Sequence, residues 1–316
     1  AILIKYTSDG NPQWCRFVDY SGNINISGVD TNTLINNDLT AAVNREITKD
    51  LNYTARLGLN IFSDKLINTY SQTSGLAIPN FFNLSNSDGR PVTENSSAHR
   101  LKYGVYGSFD VNYKNYFFVS ILGRQDWSST LPANKRSYFY PGANASFIFT
   151  ELLKDKYLTF GKLRASWSIV GKDAPANVLT TVNVPFNVSD GFQNTNVRSP
   201  FIGYNGTTQV PGYTQSNSAG NENLRPEMIN SWEIGTELGF FNDRLYLDMA
   251  LYGSSTTDGI FQVNVAPSTG YTTRYINAGK MTNTGYEIMM RAIPIAKPNF
   301  KLEATVNFTQ NVNRVI

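Results

Sequence analysis

The sequence predicts an all-β protein, a transmembrane antiparallel β-barrel. Apolar and polar residues alternate with a period of two through about ten segments, as in strands with one apolar and one polar face. The segments run about eleven residues, which suits a tilted membrane-spanning strand, whereas strands of globular sheets usually run about five or six. Short turns alternate with long loops along the chain, which is typical of outer-membrane barrels. A soluble β-sandwich shares the residue alternation but has no reason to keep the alternation of connections.

The hairpin within 221–256 shows the pattern most clearly. Its first strand has an apolar set, Trp232, Ile234, Leu238 and Phe240, and an opposite set, Glu233, Gly235, Glu237 and Gly239. Asn242-Asp243 predicts a two-residue hairpin turn, after which the alternation resumes from Leu245. Glu233 and Glu237 lie four residues apart in the sequence, two positions apart along the polar face, and resemble an acid/base pair. On a barrel they are instead expected to face the lumen, either solvated or paired with Arg and Lys of neighbouring strands.

The remaining strands follow the same pattern in chain order. They are predicted near 14–20 and at 39–48, 51–62, 101–113, 116–126, 137–150, 158–170, 284–294 and 299–311, with short turns near 49, 114, 151, 242 and 296. The long connections, predicted to be extracellular loops, span about 63–99, 127–136, 171–228 and 254–283. Residues 1–316 are therefore expected to form part of one β-barrel domain.

Composition excludes several classes of function. The formal charge of +3 and the absence of a charge block predict no nucleic-acid partner. One cysteine, Cys15, and one histidine, His99, exclude a disulfide framework and zinc motifs that need several such ligands. The sequence contains no G-x-S-x-G, P-loop or G-x-G-x-x-G motif. We therefore expect no enzyme activity, catalytic residue, metal site or cofactor.

Four segments carry a family resemblance: 123–152 (GRQDWSSTLPANKRSYFYPGANASFIFTEL), 163–173 (LRASWSIVGKD), 220–260 (beginning GNENLRPE) and 277–295 (beginning NAGKMTNTGYE). Together they resemble the SusC-like branch of the TonB-dependent outer-membrane transporters of Bacteroidota, which import glycans and peptides. The resemblance implies a barrel of 22 strands, of which about ten or eleven lie in this chain, and a plug domain absent from it.

The same resemblance implies a location and partners. It places the protein in the bacterial outer membrane, in contact with membrane lipid. It implies active import of an oligosaccharide or peptide, driven by TonB-ExbB-ExbD acting through a missing N-terminal part. It also implies a SusD-like surface lipoprotein that covers the extracellular mouth.

Aromatic residues of the predicted loops are the candidate substrate contacts, because sugar rings stack on aromatic faces and peptides accept hydrogen bonds from Tyr and Trp. The candidates are Trp127, Phe192, Tyr204, Tyr213 and Tyr271. Two other functions remain open at this point: a passive channel or adhesin barrel without energy coupling, and a soluble all-β binding module. A full-length sequence without a plug would favour the first, and extraction without detergent would favour the second.

Overall fold

The computed structural model describes residues 2–6, 12–18, 24–27, 30–73, 75–79, 81, 83–88, 91–185, 187–188, 197–198 and 212–316. In these residues every regular element is a β-strand, apart from single-turn 3-10 helices at Leu84–Asn86, Phe149–Glu151 and Pro267–Thr269. The all-β prediction is thus confirmed. No helix among the described residues has the length and apolar character needed to cross a membrane.

The strands are numbered in chain order. They are β1 Ile2–Tyr6, β2 Pro12–Val18, β3 Ile24–Ser27, β4 Asp30–Thr48, β5 Leu51–Thr73, β6 Val92–Tyr113, β7 Phe117–Ser128, β8 Ser137–Ile148, β9 Leu158–Lys172, β10 Asn183–Pro185, β11 Asn187–Val188, β12 Val197–Arg198, β13 Tyr213–Gln215, β14 Ser218–Ala219, β15 Glu227–Phe240, β16 Leu245–Thr257, β17 Ile260–Asn264, β18 Thr273–Asn277, β19 Met281–Lys297 and β20 Phe300–Val315.

The chain forms two compact units, residues 1–37 with 61–102 and residues 38–60 with 103–316. In the first unit β1, β2, β3 and β5 pair in that order. The connection after β5 is held there by Asn86, whose side-chain amide donates to the carbonyl oxygens of Ile78 at 2.8 Å and Phe81 at 2.7 Å. In the second unit one antiparallel sheet has the order β4, β5, β6, β7, β8, β9, β15, β16, β19, β20, to which β4, β5 and β6 contribute only their residues within 38–60 and 103–113.

One face of the sheet in the second unit is apolar and exposed. Ile121, Leu163, Ile234, Leu251 and Val306 are 50–58% exposed, although all are large apolar residues. The buried apolar core described for this unit is small and lies at one end of the strands, where it consists of Leu131, Tyr138, Ala174 and Leu224. A continuous exposed apolar face of this kind belongs against lipid rather than water.

Two strands, β5 and β6, are much longer than the sequence predicted. The strand expected to end at Phe62 continues to Thr73, and the one expected to begin at Leu101 begins at Val92. The apolar alternation weakens in these extensions, yet backbone pairing continues because ladder hydrogen bonds need no apolar side chain. Within the predicted loop 254–283, β17 and β18 form a hairpin, and within 171–228 the short strands β10 to β14 occur.

The predicted two-residue turn at Asn242-Asp243 is wrong. Phe240 pairs with Leu245, so the connection has four residues, and Phe241, Asn242 and Asp243 all have positive φ, of 57°, 56° and 61°. Asn and Asp tolerate this left-handed conformation. Phe241 adopts it as well because its backbone N–H donates to the Tyr157 carbonyl at 2.8 Å across the neighbouring turn.

Candidate functional site

The polar face of the sheet in the second unit carries a network centred on Arg164 of β9. Its guanidinium Nη1 lies 2.7 Å from Asp248 Oδ1 and 3.3 Å from Glu237 Oε1, and its Nε lies 3.3 Å from Glu233 Oε1. Asp248 is on β16, two strands away from Arg164. We call these residues, with Lys162 and Tyr246, the Arg164 network.

Gly235 of β15 makes this reach possible. It is the register partner of Arg164, and a Cβ atom built on it would lie 2.7 Å from both Cζ and Nε of Arg164. No other residue type leaves that space empty. The arginine therefore lies flat across β15 and arrives at the carboxylate of β16.

Glu237 has further partners in the network. Lys162 Nζ lies 3.0 Å from its Oε1, and the Tyr246 hydroxyl donates to its Oε2 at 2.9 Å. Arg291 then covers the Tyr246 ring at 5.5 Å. The two glutamates were expected to be either solvated or paired with Arg and Lys of neighbouring strands, and the structure shows them paired. Because cations engage both carboxylates, Glu233 and Glu237 form ion pairs along the barrel wall and are not arranged as a general acid/base pair.

A cleft of about 290 Å³ lies beside the network. Arg164 and Asp248 form one side, and Glu287, Asn307 and Thr309 of the next two strands contribute polar groups. Ala250, which lies between Gly235 and Glu287 in the same cross-strand row, also lines the cleft. The cleft therefore presents hydrogen-bond donors and acceptors to the space that the polar face borders.

A second network, centred on Arg124 of β7, has the same construction. Arg124 Nε lies 2.7 Å from Asp126 Oδ1, Nη2 donates to Asn60 Oδ1 at 3.0 Å, and the Tyr140 hydroxyl donates to Asp126 Oδ2 at 2.6 Å. Again a glycine makes room: a Cβ on Gly104 would lie 2.1 Å from Asp126 Oδ1 and 2.7 Å from Arg124 Nη2.

The Arg124 network extends to β4. The guanidinium of Arg124 covers the Tyr106 ring at 5.6 Å, and the Tyr106 hydroxyl donates to Asp38 Oδ1 at 2.5 Å. The Tyr106 ring lies over Gly58, where a Cβ would come within 2.1 Å of it. The polar face thus holds its charged and phenolic side chains in contact with one another, across five strands here and three in the Arg164 network.

The ends of the strands on the long-loop side are fixed by buried polar groups. Asp173 accepts hydrogen bonds from the Ser128 hydroxyl at 2.6 Å and the Thr130 hydroxyl at 3.2 Å, and all three side chains are buried. They lie in the chain beside Leu131 and Ala174 of the small apolar core. The loop after β7 and the loop after β9 are therefore joined.

Asn277 joins two further long connections. Its amide donates to the carbonyl oxygens of Arg225 and Asp258, both at 2.8 Å, and its Oδ1 accepts from the Arg225 backbone N–H at 2.8 Å. Arg225 Nη2 also lies 2.7 Å from Asp258 Oδ1. The segments LRPE and NAG, which contribute to the family resemblance, thus form a clamp between the two loops.

The predicted substrate contacts occupy different places. Trp127 lies in β7 rather than in a loop, on the apolar face, and stacks on Tyr103 with ring centroids 5.4 Å apart. Tyr213 is 66% exposed in β13, and Tyr271 is half-buried between β17 and β18. Phe192 and Tyr204 lie outside the described residues. Ligand contact by these five residues stays a prediction.

Sequence analysis did not single out Arg164, Arg124 or the glycines beneath them. The sequence pattern that could have identified these arginines is an arginine on the polar face of one strand, with a glycine and carboxylates on the polar faces of the neighbouring strands. That signal requires the strand register, because Gly235 and Arg164 are 71 positions apart in the sequence and become neighbours only through the pairing of β15 with β9.

Comparison with known proteins identifies the family. A family model described as "TonB dependent receptor-like, beta-barrel" matches residues 4–315. TonB-dependent receptor P26 of Formosa agariphila is 26% identical over 99% of this chain, and TonB-dependent receptor SusC of Bacteroides thetaiotaomicron is 26% identical over 66% of it. The chain spans 30% of the length of the first relative and 20% of the second.

A solved structure shares the fold. The RagAB peptide importer in its "closed-closed" state superposes with a TM-score of 0.75 at 19% identity, over 93% of this chain and 30% of that one. The predicted resemblance and the barrel fold class are confirmed, and the family consists of receptors and transporters rather than enzymes. The apolar face of the sheet suits contact with lipid, and the charged side chains of the polar face pair with one another. The chain belongs to the TonB-dependent receptor family, as part of an outer-membrane β-barrel.

Proposed function

We propose that the complete protein imports oligosaccharides or peptides across the outer membrane by TonB-dependent active transport. The observation that carries the proposal is the family match over residues 4–315 together with a polar face of paired charges. In a barrel this face lines the lumen, because lipid-facing and lumen-facing residues alternate along each strand. The similarity to the TonB-dependent receptor SusC and the fold shared with the RagAB peptide importer support import of a nutrient.

The paired charges suit a lumen whose contents move. Removing one partner of an ion pair leaves the other charge without compensation, at a cost that rises as solvent screens that charge less. Arg164 meets its three carboxylates on the wall itself, and Arg124 meets Asp126 there. These charges would stay paired when a plug rearranges during transport, because their partners are on the wall. Movement of the plug would therefore break none of these ion pairs.

The partners follow from the same proposal. TonB-ExbB-ExbD supplies the energy through a part of the protein outside this chain. A SusD-like lipoprotein covers the mouth, where the Asn277 clamp and the buried Asp173 cluster make the long loops a firm rim. The exposed ring of Tyr213 is available for ligand or lid contact at this rim.

Uptake measurements in the host test the proposal. Labelled oligosaccharides and oligopeptides are supplied to the parent strain, to a strain lacking this gene and to a strain lacking TonB. We expect uptake of one substrate class to be lost in both mutants. Loss without the gene but not without TonB would show a passive channel, and unchanged uptake of every oligomer would refute import. Co-purification of a lipoprotein with the tagged full-length protein tests the lid.

A further inference from the structure

Two neighbouring short turns of the second unit form one surface patch. They are residues 149–157, between β8 and β9, and residues 241–244, between β15 and β16. The Phe241 backbone N–H donates to the Tyr157 carbonyl at 2.8 Å, and the two rings meet edge to face with centroids 5.9 Å apart. The turn patch consists of the apolar Leu152, Leu153, Tyr157 and Phe241 and the basic Lys154, Lys156 and Arg244.

The apolar members of the turn patch are among the most exposed large side chains of the unit. Leu152 is 58% exposed, Leu153 67%, Tyr157 58% and Phe241 53%. Four such side chains on adjoining turns are a concentrated apolar surface, which marks an interaction site. The patch lies at the ends of the strands that carry Leu163 and Ile234 of the exposed apolar face.

The basic members are free to reach a ligand. Among the described residues, Lys154, Lys156 and Arg244 have no ion pair or side-chain hydrogen bond, and Lys156 Nζ lies 5.8 Å from the centre of the Tyr157 ring. Long basic side chains beside apolar ones are the arrangement in which charged ends extend to lipid phosphates while their stems stay in apolar surroundings.

The acidic residues of the same turns are Glu151, Asp155 and Asp243, so the formal charges balance. Two of these carboxylates are drawn back to the protein. Asp155 Oδ1 accepts hydrogen bonds from the backbone N–H groups of Leu158 at 3.0 Å and Tyr157 at 2.7 Å, and these bonds hold the pKa of Asp155 below its usual range. Asp243 Oδ1 lies 3.5 Å from Thr159 Oγ1. The charged side chains that extend outward from the turn patch are therefore mainly basic.

We propose that the turn patch binds an anionic phospholipid, with Leu152, Leu153 and Phe241 among the acyl chains and Lys154, Lys156 and Arg244 at the headgroup phosphate. Aromatic side chains such as Tyr157 favour the boundary between headgroups and acyl chains, which is the depth the turns of a membrane barrel reach. The site fixes this end of the barrel to the leaflet that surrounds the short turns. It is independent of which solute the protein imports.

Native mass spectrometry of the full-length protein tests the site. The protein, in detergent and depleted of lipid, is titrated with dioleoyl-phosphatidylglycerol or dioleoyl-phosphatidylcholine. We expect tighter binding of phosphatidylglycerol by the unaltered protein. The double variant Lys154→Gln/Lys156→Gln should weaken that binding roughly 5-fold to 25-fold, since each basic residue near a lipid surface contributes about 1 kcal/mol.

The matched control is Lys172→Gln/Lys280→Gln, which removes the same charge from exposed positions at the other ends of the strands. It should bind phosphatidylglycerol as the unaltered protein does. Unchanged binding by the Lys154→Gln/Lys156→Gln variant would overturn the proposal, as would equal affinity of the unaltered protein for the two lipids. A photo-crosslinker at position 154 that captures a protein instead of lipid in native membranes would overturn it too.

Discussion

Replacing Gly235 by alanine tests whether the flat arginine organises the polar face. The new Cβ would lie 2.7 Å from Cζ and Nε of Arg164, closer than side chains approach one another, so the guanidinium must move off β15. Because the obstructed atoms belong to a flexible side chain, the backbone need not shift. What is lost is the reach of Arg164 to Asp248, Glu237 and Glu233.

The expected cost follows from the exposure of these groups. The side chain of Arg164 is 26% exposed, and those of Glu237, Asp248 and Glu233 are 19%, 30% and 43% exposed, so solvent screens the pairs. Partly exposed pairs contribute about 0.5–1 kcal/mol each, or about 1.5–3 kcal/mol for three. Alanine in a strand regains about 0.5–1 kcal/mol over glycine. We therefore expect Gly235→Ala to lower the free energy of unfolding by about 0.5–2.5 kcal/mol.

A double-mutant cycle measures this cost. Urea unfolding of the full-length protein is followed for Gly235→Ala, for Arg164→Gln and for the combination. In the Arg164→Gln background the same alanine should stabilise by about 0.5–1 kcal/mol, because only the strand preference remains. The cost of Gly235→Ala in the unaltered background should also shrink in 1 M salt, at which the Debye length is about 3 Å.

Gly253→Ala is the control on the other face of the sheet. Its Cβ would lie 2.7 Å from Nε1 of Trp232, an equal steric demand on a side chain without a formal charge. We expect its effect to be insensitive to salt and to the Arg164→Gln change. If Gly235→Ala cost the same in both Arg164 backgrounds, the arginine would not depend on the glycine, and the account of the polar face would be refuted.

Three further predictions concern the loops and turns. Asp173→Ala leaves the buried Ser128 hydroxyl without its acceptor and should destabilise by about 1–3 kcal/mol in the same urea assay. Asn277→Ala removes three hydrogen bonds and should speed proteolytic cleavage within 258–280, whereas Asn264→Ala, at an exposed residue of β17, should not. The lowered pKa of Asp155 contributes stability above its unfolded-state pKa that is lost as pH falls through the folded-state value, so Asp155→Asn should reduce the acid sensitivity of unfolding.

The elements that alternate most regularly were the ones that the sequence predicted best. The hairpin of β15 and β16 was expected over 221–256 and lies at Glu227–Phe240 and Leu245–Thr257. Its apolar set fixes the register, because a shift of one residue would move Glu233 and Glu237 to the lipid side. The extensions of β5 and β6 were missed because their side chains no longer alternate, although the backbone goes on pairing.

The polar networks could be predicted only in part. Glu233 and Glu237 were expected to face the lumen, either solvated or paired with Arg and Lys of neighbouring strands. Which cations they are depends on register between strands far apart in sequence. Residues 173–226 separate β9 from β15, and nothing in that segment specifies that Arg164 meets Gly235.

The glycines of the polar face follow from the same geometry. An arginine that projects from a strand stands roughly perpendicular to the sheet, and in a barrel it would enter the lumen. Gly235 and Gly104 let Arg164 and Arg124 lie along the wall, where the carboxylates of the next strands hold them. A wall built this way keeps strong charges on its surface without narrowing the space that it encloses. Substituting the glycines therefore tests the stability of the wall and the clearance of the lumen together.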